Sequence, residues 1–237
     1  MRSAECGLYL GYSRIARIGS AHLASSYAVL RIAERTFRQD EQDYLGFLKQ
    51  DMTAEERSLL EALDAIVGSE EIRAQIYPIV ERVRTELTRN RKAQMTWEPI
   101  PLTIYGRALP PGIRSSWVFV LRGGATTGAE RHPNSHQRMM SFEAAGDLQV
   151  RSGPADTDEG QWRSNLLVSE RDAPLERRWI SIPRNVWHQV VVPEGPDWVV
   201  VSFHTVPAEE LIEERPDSDD PGRTNRMRYL GPTESRK

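Results

Sequence analysis

Two short stretches of the sequence decide the fold and the site. The first reads Gly128-Ala-Glu-Arg-His132-Pro-Asn134-Ser-His136-Gln137 and is followed by Gly146. The second reads Trp179-Ile-Ser-Ile-Pro183-Arg-Asn185-Val-Trp187-His188-Gln189. Together they hold three of the five histidines of the chain, and His204 follows soon after. Histidines that neighbouring strands bring together are typical of a binding or catalytic site.

Short β-like runs surround both stretches from about residue 98 onward. They cover residues 102–105, 117–121, 138–142, 147–150, 166–169, 178–182, 187–192 and 198–203, and turn residues separate them. No helical pattern lies between these runs. Many short strands in this rhythm predict a β-sandwich or barrel for residues 98–210.

The flanking segments have other patterns. Residues 1–97 are predicted to be helical, with one helix from 15 to about 47 and a second that a Thr53-Ala-Glu-Glu56 capping box opens. A third helix begins after Ser69, and Pro78 predicts a kink or a break in it. These helices are expected either to cover an apolar face of the β domain or to form a homodimer surface. Residues 211–237 are polar and predict a loosely held extension.

Composition excludes several classes of protein. The formal net charge is −3, which gives no overall basic field for nucleic acid. The single cysteine, Cys6, excludes an internal disulfide framework and fits a reducing cytoplasm. No window reaches ~18 apolar residues, so neither a membrane span nor an export signal is predicted. We therefore expect a cytoplasmic protein whose partner is a small-molecule substrate.

The spacing of the two stretches resembles the two-part signature of the cupin superfamily, G-x5-H-x-H-x3/4-E-x6-G followed by P-x-G-x2-H. In that alignment His132, Gly146, Pro183 and His188 match the pattern, whereas Asn134, Met139 and Asn185 replace its second histidine, its glutamate and its second-motif glycine. The resemblance implies a mainly β protein with a C-terminal cupin-type jelly roll, a double-stranded β-helix, covered by N-terminal helices. It also implies a divalent metal: Fe, Zn, Ni or Mn.

Strand geometry places the candidate site residues. The loop 193–197 has the composition of a hairpin, and pairing Val192 with Trp198 would put His188 and His204 on one face. A bend at Pro133 would swing His132 and His136 toward His188. We therefore predict His132, His136 and His188 as metal ligands.

Two further residues are predicted to transfer protons. They are His204 and Glu130, and Glu130 shares strand parity with His132, so that it is alternatively part of a carboxylate-containing ligand set.

Three functions are compatible with these residues. The first is a metal-dependent enzyme, oxygenase-like or isomerase-like, that acts on a small organic molecule. The second is a metal-free sugar-nucleotide isomerase or epimerase, in which His132 serves as general base. The third is a non-catalytic cupin that binds a small molecule. Stoichiometric metal, binding of a sugar nucleotide by metal-free protein, or ligand binding without turnover would distinguish them.

Overall fold

The computed structural model describes residues 52–151, 161–218 and 223–228. The predicted helix from 15 to 47 lies outside these ranges. The described helices and strands belong to one compact unit that begins at Thr53.

Two helices open the described part. Helix α1 spans Ala54–Gly68, and the Glu56 N–H donates to Thr53 Oγ1, as the capping box predicted. Helix α2 spans Glu70–Arg89 with Ser69 as its N-cap, and it continues through Pro78 without a break. Its buried residues recur at three- and four-residue spacing and form one apolar stripe. No helix in the described residues is long and apolar enough to cross a membrane.

Nine strands of the described residues form two antiparallel sheets. The strands are β1 (Met95–Pro99), β2 (Ser115–Leu121), β3 (Gln137–Glu143), β4 (Ala145–Arg151), β5 (Trp162–Arg163), β6 (Leu166–Val168), β7 (Trp179–Ile182), β8 (His188–Val191) and β9 (Trp198–His204). The larger sheet has the order β1-β2-β9-β3-β7, and in the smaller sheet β5, β6 and β8 all pair with β4. A short helix, α3, spans Leu175–Arg178. This is the double-sheet arrangement of a jelly roll.

The larger sheet is buried on both faces. Its inner face packs on the smaller sheet around Trp117, Trp198 and Leu148, which are at most 1% exposed. Its outer face meets α2, where the Thr96 hydroxyl donates to the Val83 carbonyl and the Tyr77 ring lies 5.3 Å from the Phe142 ring. The prediction that helices cover an apolar sheet face is confirmed for α2.

Two of the predicted elements are wrong. Residues 102–105 lie in the 3₁₀-helix Leu102–Ala108 and not in a strand. The loop 193–197 does not close a hairpin, because β8 belongs to the smaller sheet and β9 to the larger one. Strand β9 pairs with β2 on one side and with β3 on the other, so it has no free edge for β8. The loop therefore crosses from one sheet to the other.

The C-terminal segment is also more ordered than predicted. After the 3₁₀-turn Ala208–Glu210, strand β10 (Ile212–Pro216) pairs with β11 (Thr224–Arg228) in an antiparallel hairpin. Glu213 and Glu214 in β10 are buried, at 3% and 8% exposure. Burial of two carboxylates requires specific partners. Glu214 pairs with Arg131, next to the site described below, and Glu213 pairs with Arg215 on the same strand.

Candidate metal centre

Residues 130–132 form a short extended segment between β8 and the C-terminal hairpin. Glu130 and His188 exchange two backbone hydrogen bonds of 2.8 Å, and Arg131 and Glu214 exchange two more, of 3.0 and 2.9 Å. Because side chains alternate along an extended chain, Glu130 and His132 project to one side and Arg131 to the other. The Arg131 guanidinium accordingly lies over the Trp187 ring, at 4.7 Å.

Glu130, His132 and His188 bring three possible ligand atoms within 4.8 Å of one another. The His132 Nδ1–H donates to the Ile212 carbonyl at 3.0 Å, and the His188 Nδ1–H donates to the Val186 carbonyl at 3.1 Å. With the proton fixed on Nδ1, each neutral imidazole carries its lone pair on Nε2. Carbonyl acceptors of this kind orient metal-binding histidines. Two imidazoles and a carboxylate form a donor set that suits Zn, Fe, Ni or Mn.

The charges in the cluster are those that a cation site requires. Burial alone would raise the pKa of Glu130, but the neighbouring His188 and then the Arg215 guanidinium lower it to about 2. Burial, and then the charge of His188, lower the pKa of His132 to about 4. Near neutral pH the cluster therefore holds an ionised carboxylate and a neutral His132 imidazole. Both are the protonation states that bind a metal.

A small cavity of about 20 Å³ lies beside the cluster, which is room for about one water molecule. Apolar side chains such as Met95 and Met139 make up most of its wall, and Glu130, Gln137 and His188 supply polar groups. Within the described residues, Gln137 Oε1 and His188 Nε2 are buried and make no hydrogen bond. Nε2 of His188 lies 3.5 Å from a Glu130 oxygen.

Buried polar atoms without partners are costly, and such atoms concentrate at functional sites. A cation bound at His188 Nε2 would satisfy that lone pair, and Gln137 lines the same cavity. The residues present therefore fit a divalent metal.

The structure does not bring His136 to this cluster. Gln137 opens β3 facing the cavity, so its neighbours His136 and Arg138 face the other way, toward α1. The His136 Nε2–H donates to the Ser181 hydroxyl at 2.6 Å, and that hydroxyl donates to a Glu56 oxygen at 2.5 Å. The expectation that a bend at Pro133 turns both imidazoles toward His188 is thus corrected. The third member of the cluster is Glu130 and not His136.

His204 lies behind the cluster. Its side chain is buried, its ring lies 5.2 Å from the His132 ring, and Nδ1 is 3.2 Å from the Ser135 hydroxyl. Burial, and then the charge of His132, hold its pKa well below the usual value of 6.5. His204 is therefore a neutral group that packs on the His132 ring.

The departures from the cupin signature have structural explanations. Asn134 is not a vacant ligand position, because its amide donates to the Glu210 carbonyl and its oxygen accepts from the Ile212 N–H. Asn185 has φ 64°, the left-handed conformation that glycine adopts easily and asparagine tolerates.

A shift of the first motif by two residues places Glu130 and His132 at its two histidine positions. Five residues then separate Gly124 from Glu130, as the signature requires, and Gln137 falls at the glutamate position, whereas Ala144 falls at the closing glycine. This spacing was the signal in the sequence that could have identified Gln137. It is hard to recognise, because Glu130 stands where the signature has histidine and Gln137 stands where it has glutamate.

Among known proteins, the comparisons found similarity to solved structures. No protein-family model and no curated protein matches the chain. An oxalate oxidase is 13% identical with a TM-score of 0.37, over 48% of this chain and 52% of that one. The oxalate decarboxylase of Lactobacillus farciminis is 11% identical with a TM-score of 0.36, over 48% of this chain and 29% of that one. The capsular polysaccharide assembling protein CapF of Staphylococcus aureus is 13% identical with a TM-score of 0.35, over 48% of this chain and 26% of that one. The chain thus spans about half or less of each structure.

The described strands form a double-sheet jelly roll with the histidine cluster beside the small cavity between its sheets, which is the architecture that the resemblance in the sequence predicted.

Proposed function

We propose that this protein is a metal-dependent cupin-type enzyme that acts on a small organic molecule. Glu130, His132 and His188 hold the divalent metal, and the Gln137 amide oxygen is placed to join them or to contact the substrate. The observation that carries the proposal is the convergence of three ligand atoms within 4.8 Å, one of them the buried, unbonded Nε2 of His188. A metal in this position supplies Lewis acidity for polarising a carbonyl or activating a bound molecule.

The chain's own residues prepare the site in three ways. Backbone carbonyls accept from Nδ1 of His132 and of His188, so the neutral form of each imidazole carries its lone pair on Nε2. The apolar wall excludes bulk water, which strengthens electrostatic interactions in the cavity. Since the cavity is small and two flexible methionines line it, we infer a small substrate that displaces Met95 or Met139 on entry.

His204 has a supporting role in this proposal. Its imidazole is neutral and contacts His132, and its hydrogen bonds go to serine hydroxyls, Ser135 at 3.2 Å and Ser202 at 3.5 Å. Because burial opposes protonation, it is placed to keep His132 neutral and in position more readily than to deliver a proton. Glu130 is assigned as a ligand rather than as a proton carrier.

Elemental analysis of the purified protein, before any contact with chelator, tests the proposal. Wild-type protein should carry close to one equivalent of a transition metal, and His188→Gln and Glu130→Gln should lose it. His136→Gln is the matched control, because it makes the same change at a histidine outside the cluster and should keep the metal. Circular dichroism establishes that each variant is folded.

Each possible result supports or contradicts one of the hypotheses. Metal-free wild-type protein that binds a sugar nucleotide would support the isomerase alternative. Metal-free protein without turnover that still binds a small molecule would support the non-catalytic alternative. Loss of metal from His136→Gln but not from Glu130→Gln would contradict the ligand assignment.

A further inference from the structure

The C-terminal hairpin β10–β11 lies outside the two sheets of the barrel, yet it reaches the metal centre. It is fixed to residues 130–132 by the Arg131–Glu214 backbone pair and by an ion pair of 2.8 Å between the same side chains. Asn134 ties the start of β10 to the same loop. The hairpin is therefore attached next to the segment that carries Glu130 and His132.

Strand β10 contacts two of the three candidate ligands. At its start, the Ile212 carbonyl accepts from His132 Nδ1. Further along, the Arg215 guanidinium donates to Glu130 Oε2 at 2.7 Å and to Glu213 Oε1 at 2.5 Å. Arginine suits this bridge because its planar fork presents several donors in fixed directions. A lysine ammonium has no such geometry.

The contact to Glu130 involves one oxygen only. Arg215 occupies Oε2, and the other oxygen, Oε1, is turned toward His188 at 3.5 Å. Glu213 is buried, with 4% of its side chain exposed, and its Oε1 accepts from the same guanidinium. Without Arg215, the buried Glu130 carboxylate would lose its cationic partner and the contact that sets the rotation of its side chain.

We propose that Arg215 is a positioning residue of the metal centre, which the C-terminal hairpin delivers so that Glu130 offers a single oxygen to the metal. This inference rests on the proposed function. The hairpin is then a part of the site and not an appendage to the barrel. Removing an outer partner of a metal ligand typically weakens metal binding about 10- to 100-fold.

Cobalt(II) titration of the full chain tests this role, since Co²⁺ binding gives both a dissociation constant and a visible absorption spectrum that reports ligand geometry. Arg215→Gln should bind Co²⁺ about 10-fold or more weakly, with an altered spectrum. Loss of a positive charge beside a cation would by itself strengthen binding. At pH 8, where Glu213 is ionised, the double variant Arg215→Gln/Glu213→Gln removes one charge of each sign, so weaker binding in this variant as well reports positioning.

Two further variants complete the experiment. Arg215→Lys keeps the charge without the fork and should recover part of the affinity. Arg226→Gln on the neighbouring strand is the matched control, since Arg226 is exposed, pairs with Glu214 at 3.7 Å and should leave Co²⁺ binding unchanged. Circular dichroism is recorded on all variants, and if Arg215→Gln does not fold, Arg215→Lys and the double variant decide.

Unchanged or tighter Co²⁺ binding with an unchanged spectrum in the Arg215 variants overturns the positioning role of Arg215 but leaves the proposed function standing. Wild-type protein that binds no Co²⁺ overturns the proposed function and the inference with it.

Discussion

Replacement of Glu213 by glutamine should change the pH dependence of stability of the metal-free protein. Glu213 is 3% exposed, and burial, together with the negative charge of Glu130, raises its pKa from 4.5 to about 7. The folded protein therefore holds a proton on Glu213 over a pH range in which the unfolded chain has released it. Folding is favoured below pH 4.5, and this contribution is lost as the pH rises through 7.

The magnitude follows from the two pKa values. Moving the pKa from 4.5 to about 7 corresponds to a difference of up to about 3 kcal/mol in the free energy of unfolding between acid and alkaline pH. Glutamine resembles the protonated carboxyl in shape and carries no charge at any pH. The variant should thus match the wild type near pH 5 and exceed its stability by up to about 3 kcal/mol at pH 8. Its amide oxygen still accepts from Arg215, which keeps that hydrogen bond.

Urea unfolding followed by tryptophan fluorescence, in the presence of chelator at several values from pH 5 to 8, measures this difference. Glu61→Gln on α1 is the control, because 57% of that side chain is exposed, and it should change stability little at either pH. A stability difference between Glu213→Gln and wild type that is constant with pH, or that favours the wild type at pH 8, would refute the reasoning.

Three other predictions concern the fold. Gly146→Ala should lower stability by about 3 kcal/mol, seen as a lower urea midpoint, because its Cβ would lie 2.2 Å from the buried Trp198 ring. Glu56→Ala should lower the free energy of unfolding by about 3–5 kcal/mol, because it leaves the buried Arg138 guanidinium, which Glu56 binds at 2.6 and 2.7 Å, without its carboxylate. Adding Arg138→Met should restore much of that stability. Asn185→Val should lower the free energy of unfolding by about 1–2 kcal/mol in the same assay, because Asn185 has the left-handed φ of 64°, whereas Asn185→Gly should be tolerated. Equal stability of the two variants would contradict the requirement for a left-handed backbone at this position.

Local patterns predicted most of the elements because their causes are local. The hydroxyls of Thr53 and Ser69 cap α1 and α2 where the sequence placed helix starts. Seven of the eight predicted β-like runs overlap strands, since alternation of apolar residues reflects burial of one or both faces. The exception, 102–105, forms a 3₁₀-helix in a region where proline punctuates the chain. The C-terminal hairpin was missed, because polar strand residues such as Glu214 and Arg215 are stabilised by partners elsewhere in the chain, Arg131 and Glu130.

The site was predicted only in part. His132 and His188 converge as expected, and the shared parity of Glu130 with His132 was visible in the sequence. A bend at Pro133 was expected to turn His136 inward, whereas β3 begins at the next residue and His136 is directed toward α1. A one-residue change in where a strand begins moves a side chain to the opposite face.

The sequence by itself determined the helix caps, the strand runs, the cupin-type spacing and two of the clustered histidines, since each depends on residues close together in the chain. The tertiary structure alone decided that β8 and β9 lie in different sheets, that Glu130 completes the cluster and that β10 reaches it. These features depend on which distant segments pair. Pairing is selected by the packing of the whole barrel, a long-range competition that no local window of sequence contains.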